Sequence, residues 1–187
     1  MSTRTILAAI AVFTCIAAAP AFGQSSRFTV NFGVGMGFNQ GQIASLVDTS
    51  GSIVLGVGYN LSDTIAAVAE YQYYNLAFKE SIDDPFNPNE GIGQLDSVSA
   101  NALIKINNKV GAYGIGGVGW YRRYVRIEGP SIVPAFVADP ALGFNLGAGV
   151  TFPFGGRFKL YGELRYHHAY NRVVPTIVLP VTFGIRW

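Results

Sequence analysis

The chain has 187 residues, of which 50% are hydrophobic and only 13% are charged, about half the charged fraction of an average soluble domain. After the N-terminal segment no apolar run reaches the roughly 18 residues that a membrane-spanning helix needs, so any membrane crossing would use strands. The net charge of +2 is too small to indicate an electrostatic nucleic-acid binder, and no nucleic-acid partner is expected.

Residues 1–23 have the pattern of a cleaved export signal. An arginine precedes the apolar run Ile6–Ala19, and small residues stand at the third-last and last positions of the segment, as signal cleavage requires. A retained membrane anchor is the alternative, but the run is too short for one. Cys15 is the only cysteine, so the mature domain, residues 24–187, would contain no disulfide.

From residue 28 onward, apolar residues alternate with small or polar ones, which is the period of a β-strand. The clearest case is Phe28 to Phe38, where every even position is large and apolar. The same alternation predicts strands over residues 53–59, 65–73, 97–106, 143–152, 158–167 and 177–187. A glycine-rich segment from Val110 to about Val125 brings the count to eight. Pro180 predicts a bulge or an unpaired position in the last strand.

Short and long connections alternate between these strands. Tight turns rich in Asn, Asp, Pro and Gly are predicted at 60–63, 107–109 and 153–156, and long loops at 39–51, 79–95 and 126–141. The fourth loop, near 171–174, is short. This asymmetry is typical of outer membrane barrels, which have short periplasmic turns and longer outer loops. The acidic residues of the second long loop, Asp83, Asp84, Glu90 and Asp96, match no calcium loop and indicate a solvated segment.

The composition of the polar face indicates which side of the sheet meets solvent. A soluble, lipocalin-like barrel also alternates, but its outer face would be rich in Lys and Glu, whereas this face is mostly Gly, Asn, Ser and Thr. Small residues suit the narrow interior of an eight-stranded barrel, and closure pairs every backbone group within the membrane. We therefore predict an all-β fold, an eight-stranded antiparallel up-and-down transmembrane β-barrel.

Aromatic residues near the strand ends predict two girdles, as such barrels have at the two membrane interfaces. One level comprises Phe28, Tyr59, Phe152, Phe158 and Trp187, and the other comprises Phe38, Tyr73, Tyr121 and Tyr166.

Six charged residues fall on the predicted lumen side by parity, namely Glu70, Lys105, Arg122, Glu163, Arg165 and Arg186. A charge buried in the lumen needs a partner, so we predict a network of these residues that plugs the barrel. The functional alternative is a proton or ion path, because ionisable residues within a membrane warrant a functional hypothesis.

Two motifs resemble chemical sites in their residue types, but the surrounding sequence favours a structural role for each. The glycines at 114, 116 and 119 match a dinucleotide fingerprint in spacing, but no helix pattern follows them. His167 and His168 are adjacent, so they point to opposite faces of a strand and cannot hold one metal together. No catalytic residue, cofactor, cofactor-binding residue or metal ligand is predicted.

The last residues carry a family resemblance. Val181, Phe183, Ile185 and Trp187 alternate up to a terminal aromatic residue, which looks like the signal read by the outer membrane assembly machinery. Together with Ala69-Glu70-Tyr71 and the glycine-rich runs at 116–119 and 144–149, this segment resembles the small OmpA/OmpX-like, opacity-protein-like outer membrane β-barrel family.

The resemblance implies a monomer in the outer membrane of a Gram-negative bacterium. Its partners would be outer membrane lipid and lipopolysaccharide, periplasmic chaperones and the assembly machinery. In lipid A deacylase barrels a Ser follows the His by two residues and supplies the nucleophile, but Ala169 and Tyr170 follow His168 here. We expect a non-enzymatic protein with a structural envelope role or an adhesin-like interaction of its surface loops. A lipid-modifying enzyme and a narrow pore are the alternatives.

Overall fold

The computed structural model describes residues 27–41, 49–77, 90–107, 111–128, 136–137, 140–171 and 175–187. The strands are β1 (Phe28–Gln40), β2 (Ser50–Asn60), β3 (Ile65–Ala77), β4 (Glu90–Asn107), β5 (Ala112–Glu128), β6 (Phe136–Val137), β7 (Ala141–Pro153), β8 (Lys159–Ala169) and β9 (Thr176–Arg186). The predicted export signal lies outside the described residues. No helix in these ranges is long and apolar enough to cross a membrane.

Eight strands close into an antiparallel barrel. Each of β1 to β4 pairs with the next strand, β5 pairs with β7, β7 pairs with β8, and β9 closes the sheet by pairing with both β8 and β1. The predicted fold is therefore confirmed, and the ambiguous glycine-rich segment is β5. The two-residue strand β6 adds to β5 at Tyr124 and Val125, outside the closed ring.

Connections at the two ends of the barrel differ in length. The short ones, 61–64, 108–111 and 154–158, lie at one end, which we call the turn end; the others lie at the loop end. In the 154–158 turn, Gly155 and Gly156 have φ angles of 99° and 57°, a backbone region that favours glycine.

The strands β4 and β5 form a ribbon that continues past β7 at the loop end, with β3 paired alongside β4 as far as Ile92. The β5–β7 ladder ends at Tyr121, whereas the β4–β5 ladder runs on to the pair Glu90 and Glu128. Seven residues of strand add about 23 Å at ~3.3 Å per residue. The loop predicted at 79–95 was therefore too long, because its last six residues belong to β4.

Pro180 interrupts one ladder of β9. The β8–β9 register passes from Leu164 and Val181 to His167 and Val178 with no pair between them. Proline has no N–H to donate to a ladder. The register does not shift across the gap, so the predicted irregularity is an unpaired position and not a bulge.

The two faces of the sheet differ as the alternation predicts. The outer face carries exposed apolar side chains, among them Phe32, Val34, Met36, Val57, Val98, Val118, Leu146, Leu164 and Phe183. This belt is suited to contact with lipid.

The lumen is filled with side chains in three layers. Along β3 the inward residues are Ala66 and Val68, then Glu70 and Gln72, then Tyr74 and Leu76, and all are buried. The turn-side layer is apolar and consists of Ala66, Val68, Leu103, Tyr113 and Ile115. The loop-side layer is also apolar and consists of Tyr74, Leu76, Leu95, Tyr121, Ala169 and Val178. Polar residues occupy the space between these two layers, which we call the polar layer.

Candidate functional site

Arg165 lies at the centre of the polar layer and binds two glutamates. Its Nη1 donates to Glu70 Oε2 of β3 at 2.6 Å, across the lumen, and its Nε donates to Glu163 Oε1 at 2.8 Å. Its Nη2 donates to the same Glu163 oxygen. All three residues are at most 7% exposed, so water does little to screen these ion pairs.

The remaining acceptors of the two glutamates are also occupied. Asn31 Nδ2 donates to Glu70 Oε1 at 3.0 Å, and Asn101 Nδ2 donates to Glu70 Oε2 at 2.7 Å. The Tyr113 hydroxyl donates to Glu163 Oε2 at 2.9 Å. Every carboxylate oxygen of the pair therefore has a donor from the protein, as a buried charge requires.

Glycines on the lumen wall make room for this cluster. A Cβ on Gly56 would overlap Asn31 Oδ1 and would lie 2.8 Å from Glu70 Cγ. A Cβ on Gly147 would lie 2.8 Å from Arg165 Cγ. The glycines expected to suit a narrow lumen thus lie opposite its longest side chains.

His167 lies toward the loop-side layer and is buried. Its Nδ1 lies 2.9 Å from the Tyr121 hydroxyl, and its ring meets the Tyr74 ring edge to face with centroids 6.2 Å apart. His168 faces outward and stacks on Phe144, so the two histidines occupy opposite faces as predicted. The placement of Tyr121 in an aromatic girdle was wrong, because this residue faces the lumen.

Arg186 and Lys105 lie at the turn end of the lumen. They are separate from Arg165, Glu70 and Glu163, which we call the central cluster. The Arg186 guanidinium lies over the rings of Tyr113 and Tyr161, 4.9 and 5.0 Å from their centroids. Lys105 Nζ donates to Asn60 Oδ1 at 3.4 Å. Both residues point inward, but no described contact joins either of them to the glutamates.

Arg122 lies on the outer face, so its predicted place in the lumen was wrong. Its side chain is 57% exposed, and its Nη2 lies 3.3 Å from Asp96 Oδ2. The neighbouring inward residue of β5 is Tyr121. Because apolar residues occur on both faces of β5, the alternation of this strand does not identify its polar face.

Asp96 belongs to β4 and not to a solvated loop, which corrects a second prediction. It is 9% exposed and accepts hydrogen bonds from the Tyr71 hydroxyl at 2.8 Å, from Gln94 Nε2 at 3.1 Å and from Arg122. Glu90 is also in β4, whereas Asp83 and Asp84 lie outside the described residues.

The residues of the predicted assembly signal lie on the outer face of β9. Phe183 is 64% exposed, and Val181 and Ile185 share its parity. Trp187 packs against Phe158 with ring centroids 6.0 Å apart and forms backbone hydrogen bonds with Val30 of β1. These contacts place the segment at the seam between β9 and β1.

Partners of the central cluster that parity alone did not identify are Asn31, Asn101 and Tyr113. The two asparagines share a face with the predicted charges, so alternation indicated their direction but not their contacts. Among the described residues, no group of three or more His, Cys, Asp or Glu side chains could hold a metal ion.

Comparison with known proteins identifies the family. A family model described as "outer membrane protein beta-barrel domain" matches residues 5–179. The chain belongs to this family. It is therefore a protein of the bacterial outer membrane, in contact with the lipids of that membrane. The comparison with curated proteins gives no match.

Solved structures of outer membrane barrels share the fold. Neisserial surface protein A (NspA) is 15% identical, with a TM-score of 0.62, and the alignment covers 85% of this chain and 95% of that chain. Ail of Yersinia pestis, in complex with the heparin analogue sucrose octasulfate, is 18% identical, with a TM-score of 0.57 and coverage of 86% and 98%. A major outer membrane protein from Thermus thermophilus is 13% identical, with a TM-score of 0.59 and coverage of 86% and 99%.

Membership of this family indicates which end of the barrel faces the periplasm and which faces outward. In outer membrane barrels the short turns face the periplasm and the longer loops face outward. The turn end, with Lys105 and Arg186, is thus the periplasmic end. The ribbon of β4 and β5 then projects from the outer surface.

Proposed function

We propose that this outer membrane barrel is a non-conducting, non-enzymatic envelope protein that carries its loop-end segments on the cell surface. The observation that carries the proposal is the position of Arg165, which is bound to Glu70 and Glu163 between two apolar layers of the lumen. The barrel would act as a filled anchor in the membrane and not as a pore.

The layered lumen opposes ion passage in two ways. An ion entering from outside meets the loop-side layer, where the rings of Tyr74 and Tyr121 are almost fully buried, and it would lose its water there. Beyond that layer, the described acceptor oxygens of Glu70 and Glu163 are already bonded. A passing ion would have to displace these partners.

Planar-bilayer recording tests the anchor against the narrow-pore alternative. The purified, folded protein should show no stable, sizeable channels. The double variant Tyr121→Ala, Arg165→Ala removes one ring of the apolar layer and the centre of the network, and it should conduct more often. Arg157→Gln, an exposed turn residue, is the control and should behave as the wild type. Stable channels in the wild-type protein would reject the proposal.

The ribbon of β4 and β5 supports a surface role for the loop end. It extends the paired strands past the end of β7, to Glu90 and Glu128. Paired removal of 90–93 and 125–128 shortens the ribbon and keeps the β4–β5 register; it also removes the partners of the last two residues of β3. Cells carrying the shortened protein should attach less to immobilised matrix protein than cells carrying the full chain. Equal attachment by folded barrels would argue against an adhesin-like role.

The lipid-modifying alternative lacks a nucleophile at the position where the deacylase pattern places it. Two residues after His167 the chain has the buried Ala169, and two residues after His168 it has Tyr170. The outward His168 Nδ1 lies 3.0 Å from the Tyr166 hydroxyl, a contact suited to an interfacial aromatic cluster. The mass spectrum of lipid A from expressing cells should be unchanged; a mass shift that disappears in His168→Ala would identify an enzyme.

The assembly partners and the monomeric state are part of the same proposal. Outward Val181, Phe183, Ile185 and Trp187 would be read by the outer membrane assembly machinery after delivery by periplasmic chaperones. Within the closed ring the sheet has no free edge for a second copy to extend. Cross-linking in outer membranes should therefore give a single band at the monomer mass, and a dominant dimer would contradict this.

A further inference from the structure

Three cations lie together at the periplasmic mouth of the lumen. Lys159 and Arg186 face each other directly in the β8–β9 register, and both have the parity of the inward face. Lys105, inward on β4, lies within electrostatic range of both. Like charges directly opposite on one face of a sheet destabilise it, so this arrangement costs stability unless an anion is present.

No ion pair within the described part of the chain neutralises these three cations. Glu163 is buried on the neighbouring strand β8, and its oxygens are taken by Arg165 and by Tyr113. Asp63, in the adjacent turn, acts electrostatically on Lys105, but no ion pair joins them. The ion pairs found in the lumen and on the ribbon belong to Arg165 and Arg122, and none of the three cations pairs with a carboxylate of the described residues.

Arg186 is held in place with a donor still unused. Tyr113 and Tyr161 place their rings 4.9 and 5.0 Å from its guanidinium carbon, which fixes the plane of the group. Its Nη2 is buried and has no hydrogen-bond partner among the residues described. A buried donor without a partner is costly, so a fixed and unsatisfied guanidinium indicates a place for an acceptor.

We propose that Arg186, Lys105 and Lys159 form a phosphate-binding site at the periplasmic mouth of the barrel. A phosphate group carries several acceptor oxygens and matches both the fork of an arginine and the point charges of two lysines. Arg186 supplies the preorganised contact, Lys159 supplies charge from the neighbouring strand β8, and Lys105 supplies charge from β4 on the opposite wall. Inorganic phosphate and the phosphodiester of a phospholipid headgroup present the same chemistry to this site.

Titration of the folded protein with inorganic phosphate tests the site itself. The protein is kept in a phosphorus-free zwitterionic detergent at fixed ionic strength, and binding is followed by the ³¹P resonance of phosphate, with chloride as the competing salt. Arg186→Gln and, separately, Lys105→Gln should each weaken binding by on the order of tenfold. Arg157→Gln removes the same charge from an exposed turn at the same end, and it should bind as the wild type does.

Native mass spectrometry distinguishes the two sources of phosphate. If the site takes a lipid headgroup, the wild-type barrel retains phosphatidylglycerol in preference to uncharged diacylglycerol, and Arg186→Gln loses that preference. If it takes free phosphate, the resonance responds but neither lipid is retained. Heat-modifiable migration shows that each variant is folded. The proposal is overturned if the folded wild-type barrel binds neither probe, or if Arg157→Gln weakens binding as much as Arg186→Gln.

Discussion

Replacement of Arg165 by methionine should destabilise the barrel strongly. The change keeps most of the side-chain volume but removes the cation bound to both Glu70 and Glu163, which are nearly inaccessible to water. Removing one partner of a buried ion pair costs about 3–5 kcal/mol. Because a single guanidinium serves two carboxylates here, we expect a loss of free energy of unfolding near the upper end of this range.

Urea unfolding of the protein in lipid vesicles measures this loss. Trp120 and Trp187 are the two tryptophans and report the transition by fluorescence. The triple variant Arg165→Met, Glu70→Gln, Glu163→Gln also removes the two carboxylate charges that have lost their cation. Its free energy of unfolding should lie within about 2 kcal/mol of the wild-type value, since neutral replacements of buried ion pairs are often tolerated. Our account is refuted if Arg165→Met is as stable as the wild type, or if the triple variant is no more stable than Arg165→Met.

Three further changes test other parts of the structure. Gly56→Ala should lower the free energy of unfolding by about 1–3 kcal/mol, because the added Cβ would overlap the Asn31 amide oxygen. The control Gly51→Ala should cause no such loss, because a Cβ there has no atom within 4 Å. Equal losses for the two variants in urea unfolding would contradict this. Arg122→Gln should change stability by at most about 1 kcal/mol, because Arg122 is exposed and Asp96 keeps its hydrogen bonds from Tyr71 and Gln94. A larger loss would show that Asp96 depends on the arginine. Trp187→Ala should reduce the heat-modifiable fraction in outer membranes, and an unchanged fraction would argue against an assembly signal.

Alternation was sufficient to predict the strands and most of the lumen face. On β3 and β4 the outward residues are apolar over most of their length and the inward residues are small or polar around the central cluster, so parity correctly directed Glu70 into the lumen. On β5 the same reasoning failed, because the apolar layers of the lumen place Tyr113 and Tyr121 inward while Trp120 remains outward. A strand that is apolar on both faces has no binary pattern, and the position of Arg122 could not be predicted.

The contacts across the lumen could not be predicted from the sequence. Parity placed Glu163, Arg165 and Arg186 inside, but the partner of each depends on the stagger of the strands around the barrel. That stagger brings Arg165 to Glu70 and leaves Arg186 between two tyrosine rings. The extent of β4 was also missed, because the polar residues before Ser97 are typical of a loop when the partner strand is unknown.

The ion pair between Arg165 and Glu70 joins residues 95 positions apart in the chain, on strands β8 and β3. These strands are the neighbours of β9 and β2, which flank β1 at the seam. A flat or half-curled sheet would hold the two side chains far apart, so the contact forms only as the seam closes. Contacts so distant in sequence are slow to form because the loop-closure entropy must be overcome first. Arg165 can meet Glu163 on its own strand, but it reaches Glu70 only in the closed barrel, so an open barrel would leave Glu70 exposed to water until β1 meets β9.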